Sequence, residues 1–330
     1  MTPIDLVLVD VAAAMGDDNS CGREKFHDLI GQVLMDCSTA EAFLVGGDAC
    51  NNAKWKDCCR CLFVHCPEGP VLSEEEVAER LKKSVAAFIN PNDQYLQLTS
   101  LLLKSQTFHL AFATENDRPI IHLPRTKAGK PYIPGRKSFQ FSVSHQFPFA
   151  GIARCRTKGK GRVGMDIVVF ETLNTRLYNN PEDFVEVFRS NFAESEWNTI
   201  LTATDTVKEF YLRWAIKEAY TKARGLGMSL AFSSFETKLN GVDGSLWEYV
   251  ATTDNWCSLS GEVFSFKNCR KEMWHFFFHK LKSGAELKGC IAVCTGPVAL
   301  TRLPNPEPFP EITWTSIHDL SDWHYKSLLN

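Results

Sequence analysis

No run of about 18 consecutive apolar residues occurs in this 330-residue chain, so no membrane-spanning helix is expected. The opening MTPIDLVLVDVAAAMG is apolar, but Asp5 and Asp10 interrupt it and no Lys or Arg precedes it. A secretory or mitochondrial leader needs basic residues there, so neither is expected. Short-period repeats and long low-complexity tracts are missing as well. The formal net charge is only −3, which argues against general nucleic-acid binding. Twelve cysteines are many, yet in a long chain for which no leader is expected they do not read as a disulfide framework. The expectation is therefore a cytosolic chain with reduced thiols and no membrane or nucleic-acid partner. What is present suits a globular protein: 44% hydrophobic against 23% charged residues, and a length fit for one large domain or two ordinary ones.

The pattern divides into two halves of similar size, 1–160 and 161–330, with the boundary expected in the Lys158–Gly161 turn. Residues 15–57 are rich in Gly, Asp, Asn and Cys and read as irregular decoration. Arg60–His65 reads as a strand and Ser73–Ile89 as a helix, with Ser73 as N-cap and three acids in its first turn. Asp93–Lys104 reads as a second, more apolar helix. Phe139, Phe141 and Val143 alternate with Gln140, Ser142 and Ser144, as in a strand with one polar face. Val163, Met165 and Ile167 alternate likewise around Gly164, Asp166 and Val168. A helical stretch is predicted over about Pro181–Leu201, a longer helix over Asp205–Arg224 stopping at Gly225, and a hairpin pairing Glu272–Leu281 with Lys288–Cys294. The tail from Pro304 is proline-rich.

Four features carry chemistry. Between Arg118 and Met165 there are 11 Lys or Arg and no Asp or Glu. Such one-sidedness suits phosphate, which Lys and Arg meet with charge-assisted hydrogen bonds; a solvated basic face is the alternative. Within it, Gly129 of RTKAGKP lets backbone N–H groups approach an anion. His145 ends the strand FQFSVSH, where it can donate to a phosphate or serve as a structural histidine. Asp166 lies inside the apolar strand VGMDIVVF, where a carboxylate needs a partner or a metal unless it stands near solvent; the neighbouring Gly164 leaves room for a ligand. In TDTVKEFYLRWAIKEAYTKARGLGM, helical spacing puts Val207, Tyr211, Trp214, Glu218 and Lys222 on one face, aiming Glu218 inward. Lys222 follows Glu218 at the i,i+4 spacing of a simple ion pair, the competing reading. Asp166 and Glu218 together suggest a hard-cation site. Mg²⁺ takes few carboxylates, keeps waters and binds phosphates, and a basic rim would hold the pyrophosphate it serves.

The order of these motifs, R-T-x-x-G-K-P, F-x-x-S-H-Q, V-G-x-D-I and F-Y-x-x-W-A-x-K-E-A-x-x-K-x-x-G-x-G, resembles the Sfp-type 4'-phosphopantetheinyl transferases, in particular the eukaryotic aminoadipate-semialdehyde dehydrogenase phosphopantetheinyl transferase branch. The resemblance covers Arg125 to about Leu239 well and Ser73–Lys104 loosely. It implies an α+β fold of two similar α/β halves in pseudo-twofold arrangement, with coenzyme A between them. It implies a holo-acyl-carrier-protein synthase that moves phosphopantetheine to a carrier-protein serine and releases 3',5'-ADP. Mg²⁺, or Mn²⁺ in its place, is the implied metal, held by Asp166 and Glu218. Arg125, Thr126, Lys127, Gly129 and Lys130 would hold the 3'-phosphate and adenosine, Ser144 and His145 the phosphates, and Lys217 and Lys222 the pyrophosphate side. Glu218 would act as base, with Lys222 and His145 stabilising the leaving oxygen. The expected partners are acyl carrier domains of fatty-acid or polyketide synthases or of aminoadipate reductase, met by a monomer.

Two positions depart from the family pattern. Val168 stands where many bacterial relatives carry a second acid. The helix Asp93–Lys104 lacks the Arg that relatives use for coenzyme A, leaving Lys104 as its one basic residue. Competing readings are a coenzyme A-binding module without transfer and a zinc module built on Cys50, Cys58, Cys59, Cys61, His65 and Cys66, which reads equally as a core strand with buried thiols.

Overall fold

The computed structural model describes residues 4–15, 85, 87–112, 125–133, 136–156, 161–171, 173–174, 176–298, 309–320 and 322. The expected irregular segment 15–57 (apart from residue 15), the strand 60–65, the cysteine cluster 50–66 and most of the helix 73–89 lie outside them. By contacts, Asp5–Arg154 groups with Ile312–Asn330, and Cys155–Glu311 with Met1–Ile4. The division thus falls a few residues before the boundary expected at 158–161, and the segment from Ile312 goes with the first half.

The first unit holds β1 (Asp5–Asp10), α1 (Val11–Met15), α2 (Pro91–Phe112), β2 (Phe139–Gln146), β3 (Phe149–Arg156) and β9 (Glu311–Thr315). Its strands form a sheet in the order β2-β3-β1-β9. β1 and β3 run antiparallel with Asp5 opposite Arg154. Leu6, Leu8 and Phe149 on one face of this pair, and Val9 and Ile152 on the other, are all buried. α2 packs against β2. It starts two residues earlier than expected because Asn90 caps it, accepting from Asn92 N at 3.0 Å, and Pro91 suits the first turn. It also runs eight residues past Lys104.

The second unit contains β4 (Arg162–Val169), α3 (Pro181–Glu186), α4 (Glu194–Thr202), α5 (Thr206–Arg224), β5 (Phe235–Leu239), α6 (Leu246–Thr252), β6 (Trp256–Ser265), β7 (Arg270–Ser283) and β8 (Glu286–Val298). The sheet order is β4-β8-β7-β6-β5, every printed pairing antiparallel. The predicted helix over 181–201 is two helices with a 3-10 turn at Arg189–Asn191 between them. The break turns Phe188 and Phe192 against Phe210 and Trp214, so aromatic packing overrides helical continuation. α5 starts and stops as its sequence says. Asp205 accepts from Lys208 N at 3.0 Å, and Gly225 closes the helix at φ 74°. Each unit is therefore a sheet with a long helix against it, two similar halves of an α+β fold.

Candidate active site

Two elements of the second unit, β4 and α5, bring Asp166, Glu218 and Lys222 together. A glycine sets their distance: a Cβ at Gly164 would lie 1.9 Å from the Ala219 carbonyl oxygen and 2.4 Å from Ala223 N. The space beside Gly164 thus belongs to α5 and not to a ligand, a correction to the sequence reading. Two residues on, Asp166 faces the same side of the strand. Its Oδ1 lies 2.6 Å from Lys222 Nζ, which stands 3.9 Å from Glu218 Oε2. Val168 packs in the core with Leu212 and Ala215, so this position offers no further oxygen ligand.

The helix face is also corrected. Leu212, Ala215, Ile216, Ala219 and Ala223 are buried, whereas Val207, Tyr211, Trp214, Glu218 and Lys222 are half-buried. Glu218 therefore sits on the flank of α5, screened from most but not all solvent. Burial pushes its carboxyl above the ordinary range; Lys222 opposes this and the charge of Asp166 reinforces it. A carboxylate of raised basicity is suited to accept a proton. Among the described residues no group of three or more His, Cys, Asp or Glu could hold a metal ion. The donor set here is two carboxylates sharing one ammonium, which suits a hard divalent cation that brings waters and phosphate oxygens of its own.

Lys217 does not join this site. It is 1% exposed, and its ammonium reaches Glu196 Oε2 at 2.8 Å, the Phe232 carbonyl at 3.0 Å and the Phe235 carbonyl at 2.9 Å. The neighbouring positions 217 and 218 point about 100° apart around the helix, so both cannot face one ligand.

In the first unit, residues 125–131 form a tight turn. Arg125 bridges Pro131, Thr126 N donates to the Lys130 carbonyl at 2.8 Å, and Gly129 N to the Thr126 carbonyl at 2.8 Å. Lys130 N donates to Thr126 Oγ1 at 3.1 Å. Gly129 adopts φ 87°, which the turn requires. The amides of Thr126, Gly129 and Lys130 are spent inside the turn, and Arg125, Lys127 and Lys130 are its cationic side chains. β2 separates the other two candidates: Ser144 is buried at 5% and His145 is exposed. Adjacent strand residues point to opposite faces, which divides this expected pair. His145 Nδ1 lies 3.1 Å from Ser100 Oγ on α2.

One helical turn beyond Ser100 is Lys104, 8% exposed. Burial, and then the Arg125 cation, lower its ammonium to about 8. Ser100 carried no sequence signal, since a serine inside an apolar helix looks like any other. Glu196 was missed because an acid in the first turn of a helix reads as an ordinary end charge.

A model described as the 4'-phosphopantetheinyl transferase superfamily matches residues 162–272, and one described as 4'-phosphopantetheinyl transferase, N-terminal, matches residues 71–157. The chain belongs to this family. Both acidic residues and α5 lie within the first match, and the basic turn, Lys104 and His145 within the second. Among its relatives is the L-aminoadipate-semialdehyde dehydrogenase-phosphopantetheinyl transferase of Xenopus laevis, 26% identical over 71% of this chain and 72% of that protein. The Homo sapiens protein of the same name is 32% identical over 36% of this chain and 40% of that protein. A phosphopantetheinyl transferase of Thraustochytrium is 30% identical over 41% and 48%. The chain thus spans less than half the length of the last two relatives.

Proposed function

We propose that this chain transfers 4'-phosphopantetheine from coenzyme A to a serine of a carrier protein, with Mg²⁺ and with release of 3',5'-ADP. The observation that carries the reading is the Asp166–Lys222–Glu218 cluster: carboxylates from two elements meet over one ammonium, with Glu218 raised in basicity by burial. Family membership supports the transfer itself.

Asp166 and Glu218 would hold the cation, which when bound neutralises phosphate charge and polarises the phosphoryl group. Glu218 takes the proton of the carrier serine. The serine oxygen attacks the phosphorus joined to pantetheine, and the bond to the 3',5'-ADP oxygen breaks. Lys222 stabilises the charge that grows on the leaving oxygen. Arg125, Lys127, Lys130 and His145 bind the anionic parts of coenzyme A. Lys104, buried beside Arg125, joins them in place of the arginine that relatives carry. The names of several relatives point to an aminoadipate-semialdehyde dehydrogenase as the carrier. We assign the protein to the cytosol and to the monomeric state on the same reading.

The test is intact-mass spectrometry of apo carrier proteins incubated with the chain, coenzyme A and Mg²⁺. A gain of one phosphopantetheine, abolished by EDTA, is expected. Measurable coenzyme A binding without loading of any carrier would make the chain a binding module.

A further inference from the structure

Lys217 and Glu196 stand apart from the site, yet Lys217 immediately precedes Glu218. Their pair is fully buried, at 1% and 3% exposure. The ammonium has three acceptors: Glu196 Oε2 on α4 at 2.8 Å, and the Phe232 and Phe235 carbonyls at 3.0 and 2.9 Å. It also lies 4.4 Å from the Phe235 ring centroid. Both oxygens of Glu196 are used as well: Oε1 accepts from Thr237 N at 2.9 Å and Oε2 from Ala193 N at 3.0 Å. One ion pair therefore joins α5 to the start of α4, to the 3-10 turn Phe232–Ser234 and to β5.

Apolar burial alone would fill this space, because the interior rewards area and not direction. On the opposite side of α5, Ala219 and Ala223 rest on Gly164, beside the Lys222–Asp166 bond that belongs to the site itself. Small side chains on a glycine resist approach but offer little resistance to rolling. Directional bonds to fixed carbonyls do resist it. We propose that Lys217 and Glu196 are positioning residues that fix the rotation of α5 about its axis, and so hold Glu218 at Asp166. The proposal rests on Glu218 being the reacting carboxylate. A misplacement of about 1 Å at such a group can cost on the order of a hundredfold in rate.

The test compares three variants with the wild type in thermal unfolding, coenzyme A binding by calorimetry, and kcat and KM with an apo carrier. Lys217→Met strands a buried carboxylate and is the one most exposed to misfolding. The double variant Glu196→Met/Lys217→Met strands no charge. Lys217→Arg keeps the ion pair, but its planar fork cannot make the same three bonds. In each folded variant, kcat is expected to fall about tenfold or more, with coenzyme A affinity held within about twofold. Wild-type kcat in folded Lys217→Arg or in the folded double variant overturns the proposal. Wild-type protein that loads no carrier overturns the enzymatic reading itself, which is a separate failure.

Discussion

The acidic cluster and the basic turn are built in opposite ways. Asp166, Glu218 and Lys222 stand on a strand and a helix in van der Waals contact, capped at both ends and packed over Gly164. Arg125, Lys127 and Lys130 stand on a short turn held by its own backbone bonds, with the Arg125 and Lys127 side chains in solvent. A group that moves a proton needs placement to within fractions of an ångström, and rigid elements supply it. Groups that gather a flexible polyanion need charge and reach, and an exposed turn supplies both. Disturbing the first region should therefore change kcat, and disturbing the second should change affinity.

The largest effect is expected at the proposed base. Glu218→Gln removes the proposed proton acceptor while keeping shape, and kcat should drop on the order of 10²–10⁴-fold. A steady-state assay that finds more than a tenth of the wild-type rate would reject the assignment. Next comes the contact beneath it. Gly164→Ala puts a methyl 1.9 Å from a backbone oxygen, so α5 must move. We expect a loss of about 1–3 kcal/mol in denaturant unfolding, together with a fall in kcat. Unaltered stability would show that α5 does not lean on β4 there.

Lys104 tests the other side of the comparison. Its ammonium is lowered to about 8 by burial and Arg125. Between that value and the ordinary lysine range, the free fold holds it neutral while the unfolded chain keeps it charged. The free protein therefore gains stability from this group as pH rises through that window. Anion binding has the opposite dependence, because it needs the charged form. Coenzyme A affinity should weaken above pH about 8, and Lys104→Met should lose about tenfold and flatten the profile. Calorimetry from neutral to alkaline pH reads both; a profile identical in wild type and variant would remove Lys104 from the site. The smallest effect belongs to the exposed side chains. Arg125→Gln or Lys127→Gln should raise KM only a few-fold, less at high salt, with kcat unchanged. A large fall in kcat instead would mean that the turn also orients the reacting group.

Much of this was legible beforehand. The acidic residues were recognisable because a carboxylate in an apolar strand and a Glu–Lys step in a helix both break their local pattern. The boundaries of α5 followed from Asp205 and Gly225, whose capping roles are local. The long helix over 181–201 misled because its break comes from Phe188 and Phe192 meeting Phe210 and Trp214, partners distant in sequence. Lys217 misled in another way. A lysine one step from a candidate catalytic glutamate looks like a second phosphate ligand until the helix is set on its sheet.

The sequence by itself determined which residues could do chemistry, where α5 begins and ends, and that an acid-free basic stretch precedes two isolated carboxylates. These are properties of residue type and short-range spacing. Only the tertiary structure decided which side each functional group serves. Lys217 is buried against Glu196, Ser144 is buried while its neighbour His145 is exposed, and the room beside Gly164 is filled by α5. The reason is geometric: direction around a helix or across a strand acquires meaning only when another element packs against it.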